Sequence, residues 1–373
     1  MMRDADRSRS DARGPAVDDA RAAHIEAIQA GRAAAAAMVA LYHANDFVVP
    51  GRLLPDAIAW RGFGMGYAGV EFFFVLSGFI IAHVHARDVG KTGCLRRFVE
   101  KRLIRIYPIY WIVLLPLIAL YQIRADLGPD LVRDPAVILH SLLLLPSEGR
   151  PVLPVTWSLE HEMLFYLFAA LVILTPRAGG LLFAAWMAGC AAALFLGAQP
   201  GVAAFLLSPY NLLFCLGASV AYLGPDRIAP IAPAMLVAGV CGFLAIGMTE
   251  EFLAPWRHGA RTLAYGVSGT LVVAALAYGR FVVASQLVCV GDASYAIYLV
   301  HLPAMNAAAI LAATAGVADV AAPIVWVVLL TMWAILVGVA LHLLVERPLL
   351  RRLSERGRAP AGPRRRDCSG DLA

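Results

Sequence analysis

Arg32 and His43 stand eleven residues apart in the apolar stretch Ile28 to Ala44. On an α-helix, at about 100° per residue, they return to within about 20° of one face, separated along the axis by roughly 16 Å. A fixed cation and a titratable imidazole therefore share one side of one apolar segment. Ionisable groups inside a membrane span are costly and mark a functional site by default. Other apolar stretches carry similar groups. Glu71 sits in GYAGVEFFFVLSGF (66–79) and Glu162 in TWSLEHEMLFYLF (156–168), behind Trp157 and Ser158. Arg102 and Arg105 share a face at i, i+3. Ser294, Tyr298 and His301 fall at i, i+4, i+7 on another face.

These residues need a bilayer-spanning scaffold. The chain has 373 residues, 60% hydrophobic and 15% charged, against roughly a quarter charged in soluble domains. The expected fold is all-α: a polytopic membrane bundle of about ten transmembrane helices. Ten apolar stretches are long enough to span, at about 27–46, 66–84, 105–122, 157–175, 179–197, 205–223, 230–248, 262–279, 287–311 and 322–345. Residues 135–146 are apolar but too short, and read as a re-entrant or interfacial segment. Residues 1–24 read as a disordered cytoplasmic tail without a signal peptide, 25–350 as the transmembrane domain, and 351–373 as a basic cytoplasmic tail. Six cysteines show neither zinc nor disulfide-framework spacing. The net charge of +5 lies in short loops and the C-terminal tail, which argues against a nucleic-acid partner.

Lys and Arg orient the bundle. The loop between the second and third spans and the C-terminal tail are both basic, so both termini are expected in the cytoplasm. The segment Thr249 to Arg261 runs against this with Arg257 and Arg261, offset by Glu250 and Glu251. In that orientation His43, Glu71 and Glu162 reach a similar outer depth from three helices, while Arg32, Arg102 and Arg105 lie inner. The inner layer suits an anionic, phosphate-bearing ligand. The outer layer suits removal of a proton from a hydroxyl by His43, with Glu71 or Glu162 orienting the imidazole. Trp157, Ser158, Tyr298 and His301 are candidate substrate contacts. A donor with phosphates at one end and a reactive group on a long arm fits this spacing, and acyl-coenzyme A has that form. No permanently bound cofactor is expected.

Plainer readings exist for each residue. Arg102 and Arg105 serve as positive-inside anchors, Arg32 snorkels to the surface, and His43 is an interfacial histidine. Trp157, Tyr107, Tyr110 and Trp111 form an aromatic belt, Glu71 and Glu162 pair structurally, and His301 is a core hydrogen-bonding residue. Gly69, Gly78 and Gly217 read as sites of close helix packing.

Taken in order, these motifs resemble the acyltransferase-3 family of membrane acyltransferases. The Arg32/His43 spacing is similar to the family's first-span pattern, and GVEFFFVLSGF resembles its second-span signature. FVEKRLIRIYPIYW (98–111), TWSLEHEMLFYLF, GDASYAIYLVH (291–301) and ERPLLRRL (346–353) resemble four later elements. Gly31-Arg32-Ala33 replaces the usual Leu-Arg-Gly, and Glu160-His161 stands where many members have Ser-Val. The resemblance implies transfer of an acyl group, commonly acetyl, from acyl-CoA to a hydroxyl of a surface glycan, a lipid-linked sugar or a small molecule. The setting implied is the bacterial inner membrane. His43 carries over as the essential catalytic residue, Arg32, Arg102 and Arg105 as donor-side cations, and Glu162 as an acceptor-side residue. Two rivals predict otherwise: a transporter of a small solute or acyl group, without CoA-dependent chemistry, and an assembly subunit of a polysaccharide synthase. The sequence does not fix an oligomeric state.

Overall fold

A computed structural model of the chain describes residues 15–146, 149–196 and 200–356; expectations for 1–14 and 357–373 lie outside the described residues. The long elements are α1 (Pro15–His43), α2 (Gly69–His85), α3 (Thr92–Ile123), α4 (Pro135–Leu143), α5 (Trp157–Leu174), α6 (Pro176–Leu196) and α7 (Tyr210–Leu223). They continue as α8 (Ala232–Phe252), α9 (His258–Tyr278), α10 (Ser285–Asp292), α11 (Ser294–Thr314), α12 (Pro323–Leu341) and α13 (Arg347–Arg356). No β-strand occurs among the described residues. Nine segments among them, built on α2, α3, α5, α6, α7, α8, α9, α11 and α12, are long and apolar enough to cross a membrane. Leu181, Phe195, Leu196 and Leu336 point outward, as a helix surface in contact with lipid requires.

The remaining expected span, α1, is the most polar, and five other helices pack around it. It packs against α2, α9, α10, α11 and α12, burying Ala27, Ala33, Ala35, Ala36, Val39 and Ala40. A helix sheathed in protein need not be apolar all round, and its ionisable groups can face internal cavities. Small residues set the other close contacts. A Cβ on Gly78 would collide with the Phe214 carbonyl, and one on Gly217 with the Val75 carbonyl, so α2 and α7 touch backbone to backbone.

Residues 15–24, expected as part of a disordered tail, form the start of α1, and two further features depart from the sequence reading. First, α1 does not end near residue 46; the helical path continues through π-turns over Ala44–Leu53. Second, the ninth apolar stretch is divided at Ala293, giving α10 and α11. The segment judged too short to span is the nine-residue α4. Asp134 caps it by accepting from the Ala136 amide at 2.7 Å. Three aromatic side chains of α3 cap its other end: Tyr107 donates to the Leu143 carbonyl at 2.9 Å, Trp111 to Leu142 at 3.0 Å, and Tyr110 to Ser141. These bonds satisfy carbonyls that a helix terminus leaves bare. They also fix the rotation of α3, and with it Arg102 and Arg105.

Candidate active site

The faces inferred for α1 and α11 meet each other. At one level Arg32 Nε donates to Ser294 Oγ at 3.0 Å. At the other, His43 Nδ1 lies 3.2 Å from His301 Nε2. The surroundings assign the protons. His301 Nδ1 lies 2.7 Å from the Tyr298 carbonyl and 3.2 Å from that of Ile297. Carbonyls only accept, so Nδ1 carries the hydrogen and Nε2 of the neutral ring is bare. His43 Nδ1 in turn faces two acceptors, the Val39 carbonyl at 2.9 Å and that bare Nε2. It therefore carries its own proton, which leaves His43 Nε2 as an unprotonated base.

His43 lines a cavity of about 950 Å³, including its open mouth, together with Glu71, Trp157 and Tyr298. Tyr42, Asp46, Tyr67, Tyr210, Glu250, Glu251 and Arg261 complete much of its wall. Arg261 Nη1 donates to Glu250 Oε1 at 3.1 Å, Tyr67 OH donates to Glu250 Oε2 at 2.6 Å, and the guanidinium lies 4.6 Å from the centre of the Tyr67 ring. Buried Asn45, two residues beyond His43, holds the adjoining loop. It accepts from the Ala59 and Trp60 amides at 3.1 and 3.3 Å and donates to Asp46 at 2.5 Å.

A second cavity, about 890 Å³ with its mouth, is lined by Arg32, Arg102, Arg105, Ser158 and Glu162, with Ser77, Tyr166, Ser294 and Tyr295. Glu162 accepts from Ser77 Oγ at 3.0 Å and from Tyr166 OH at 2.5 Å. The Arg102 guanidinium lies 5.8 Å from the Tyr166 ring centre, and its buried Nε has no hydrogen-bond partner. Arg105 donates to Glu346 at 3.2 Å, and the fully buried Glu346 also pairs with His342 at 2.8 Å.

The sequence placed Glu162 beside His43 and Glu71 at one depth. In the fold Glu162 lies apart from them, in the basic cavity. Helix α5 begins at Trp157, so Glu162 is about 7.5 Å further along the axis, and its face turns toward α2 and α3. His301, read as a substrate contact, lines neither cavity; it is 1% exposed and stands behind His43. Arg261, Glu250, Tyr67 and Asn45 were not singled out as site residues. In the sequence the charges at 250–261 speak only to loop orientation. Glu346 lay in a quoted motif, but nothing in the sequence showed Arg105 as its partner.

Val70 and Tyr298 line both cavities. Tyr298 OH donates to the Val155 carbonyl at 2.7 Å and lies 2.7 Å from Ser158 Oγ, which pins the ring as a partition. A neutral imidazole with a bare Nε2 and several carboxyls thus stand on one side of the ring and three arginines on the other.

Fold and site together define an integral membrane protein of helical-bundle type with paired basic and acidic cavities inside it. Residues 25–343 match the family model described as an acyltransferase domain, and the chain belongs to this acyltransferase-3 family. It is an acyltransferase, as the motif series implied. The chain is 32% identical over 311 residues to the exopolysaccharide production protein ExoZ of Rhizobium meliloti, covering 78% of this chain and 91% of the relative. It is 24% identical over 347 residues to the peptidoglycan O-acetyltransferase OatA of Listeria monocytogenes, covering 81% of this chain and 52% of that protein. No solved structure matches it.

Proposed function

We propose that this protein moves an acyl group, acetyl in the first instance, from cytoplasmic acyl-CoA to a hydroxyl of an extracytoplasmic polysaccharide or its lipid-linked precursor. The observation that carries this reading is the single partition, Val70 and Tyr298, between a basic and an acidic cavity. The relatives' names, one in exopolysaccharide production and one in peptidoglycan O-acetylation, support the polymer acceptor. The basic cavity faces the cytoplasm of a bacterial inner membrane, with both termini on that side. The phosphates of CoA approach Arg102 and Arg105, and the thioester arm reaches past Arg32 toward the partition. The acceptor hydroxyl enters from the opposite side, beside His43.

His43 Nε2 takes the hydroxyl proton as the oxygen attacks the thioester carbonyl. The new C–O bond forms, the C–S bond breaks, and the proton passes from the imidazolium to the departing CoA thiolate. His301 accepts from Nδ1–H throughout and so supports the charged ring. Glu162 holds Tyr166 and Ser77 on the donor side, and Glu71 faces the acceptor.

The test uses membranes bearing wild-type protein or His43→Ala at equal abundance, with labelled acetyl-CoA and the host's glycan fraction. Alkali-labile label in the glycan, lost in the variant, is expected. Equal label from both would remove His43 from the chemistry. Solute counterflow without any CoA dependence would replace the transferase by a transporter.

A further inference from the structure

We infer that the acidic cavity is a saccharide subsite selective for an uncharged sugar residue, and that it turns anionic sugars away. This rests on the acyl-transfer reading for its link to catalysis, although the recognition is separable from it.

The wall has the composition that a polyhydroxylated ring requires. Tyr42, Tyr67, Trp157 and Tyr210 contribute aromatic surface to one cavity, against which the C–H face of a pyranose can lie. Without its open mouth the cavity holds about 410 Å³, within the roughly 300–1,000 Å³ of small-molecule sites. Two polar atoms of the lining residues lack partners. Glu71 is 1% exposed, and its Oε1 accepts no hydrogen bond. Arg261 Nε donates none. A carboxyl acceptor and a guanidinium donor left unsatisfied are costly unless a ligand completes them. A sugar hydroxyl, which both donates and accepts, completes them once the two side chains turn toward the cavity that their residues line.

The charge balance sets the selectivity. Asp46, Glu71, Glu250 and Glu251 all line the cavity, and Arg261 is the single Arg or Lys among the lining residues. That cation is already committed to Glu250 and stacked on Tyr67. Asp46 is held by the Asn45 amide, a neutral group. A carboxylate-bearing sugar would meet Asp46, Glu71 and Glu251, and the one cation of the lining already shares its charge with Glu250. Ionised carboxylates accept from neutral hydroxyls and offer no donor to an anion.

The test is saturation-transfer NMR on the whole protein in phosphatidylcholine nanodiscs, with no sugar-headed detergent. The probes are methyl β-glucoside and methyl β-glucuronide, which differ only at C6. Wild-type protein is expected to saturate the glucoside, with the glucuronide at least ten-fold weaker. Glu71→Ala and Arg261→Ala, checked for wild-type thermal midpoints, are expected to cut the glucoside signal at least five-fold, and Glu251→Gln to raise the glucuronide signal. Absence of signal from both sugars would overturn the subsite, as would equal signals from the two. So would glucoside binding that survives both alanine variants, since it would lie elsewhere. The wild-type comparison needs no variant to fold. If acetyl transfer fails while the sugar contrast holds, the transfer reading falls and the subsite stands. If transfer succeeds without the contrast, only the subsite falls.

Discussion

An imidazole removes a proton only through a nitrogen that carries none, so the role proposed for His43 turns on which of its nitrogens is bare. The Val39 carbonyl and His301 Nε2 both demand a hydrogen from Nδ1, and Nε2 is left as the base. His43→Gln offers an amide of similar reach without a basic nitrogen. It is expected to lower the initial transfer rate at least about 100-fold, the usual worth of general-base help, at unchanged abundance. A residual above a tenth would remove the role. His301 touches no cavity, so in the proposed transfer it would act only through His43. A hydrogen bond to a charged group is worth roughly 1.5–3 kcal/mol, about ten- to hundred-fold in rate. His301→Ala is therefore expected to lower kcat by that factor with the KM for acetyl-CoA unchanged. His301→Asn, which restores an acceptor oxygen, is expected to regain part of it. A loss confined to protein abundance would make His301 structural. The Arg32/His43 face was legible in the sequence because eleven residues make three helical turns, a property of one helix. Glu162 was misjudged because its cavity depends on where α5 starts and which helices it meets. Arg261 lay hidden because an arginine at a span's end looks the same whether it faces water or closes a cavity.

At the scale of elements, the fold depends on how closely helices approach where the site needs walls. Helices α2 and α7 meet at Gly78 and Gly217, with each glycine against the other helix's backbone. Gly217→Val forces a branched side chain into the Val75 carbonyl. Overpacking costs about 1–3 kcal/mol where neighbours can shift, and backbone shifts less readily than a side chain. A clear fall in thermal midpoint in nanodiscs is expected, by differential scanning fluorimetry. Gly180→Ala on α6 is the matched comparison, since a Cβ there meets nothing within 4 Å, and no fall is expected. An equal fall in both would refute the close contact. Hydropathy located the helices well because a membrane span must hide its backbone along its whole length. It did not foresee the π-turns after His43 or the break at Ala293. Both alter hydrogen-bond register without altering which residues are apolar. Both also lie beside α1, whose unusual polarity makes sense only once its sheath of neighbours is known.

For the whole molecule, the arrangement that matters is a partition with unlike chemistry on its two sides. Tyr298 reaches both cavities, tied to Val155 and Ser158. In the proposed transfer, a thioester on the basic side would be shielded from bulk water of the acidic side as long as that ring stays in place; excluding water in this way suppresses hydrolysis of a reactive acyl group. Tyr298→Ala removes the ring and joins the cavities. The variant is expected to release CoA thiol from acetyl-CoA several-fold faster than wild type when no glycan is present, while transfer to glycan falls. Tyr298→Phe keeps the ring and loses only the hydroxyl bonds. It is expected to stay close to wild type in thiol release. Thiol release is followed with a chromogenic disulfide, and transfer with the labelled acetyl group, on the same preparations. If Tyr298→Ala leaves thiol release unchanged, the ring does not keep water from the donor, and the barrier must be sought at Val70. If Tyr298→Phe leaks as much as Tyr298→Ala, the hydroxyl bonds to Val155 and Ser158 hold the partition closed rather than the bulk of the ring.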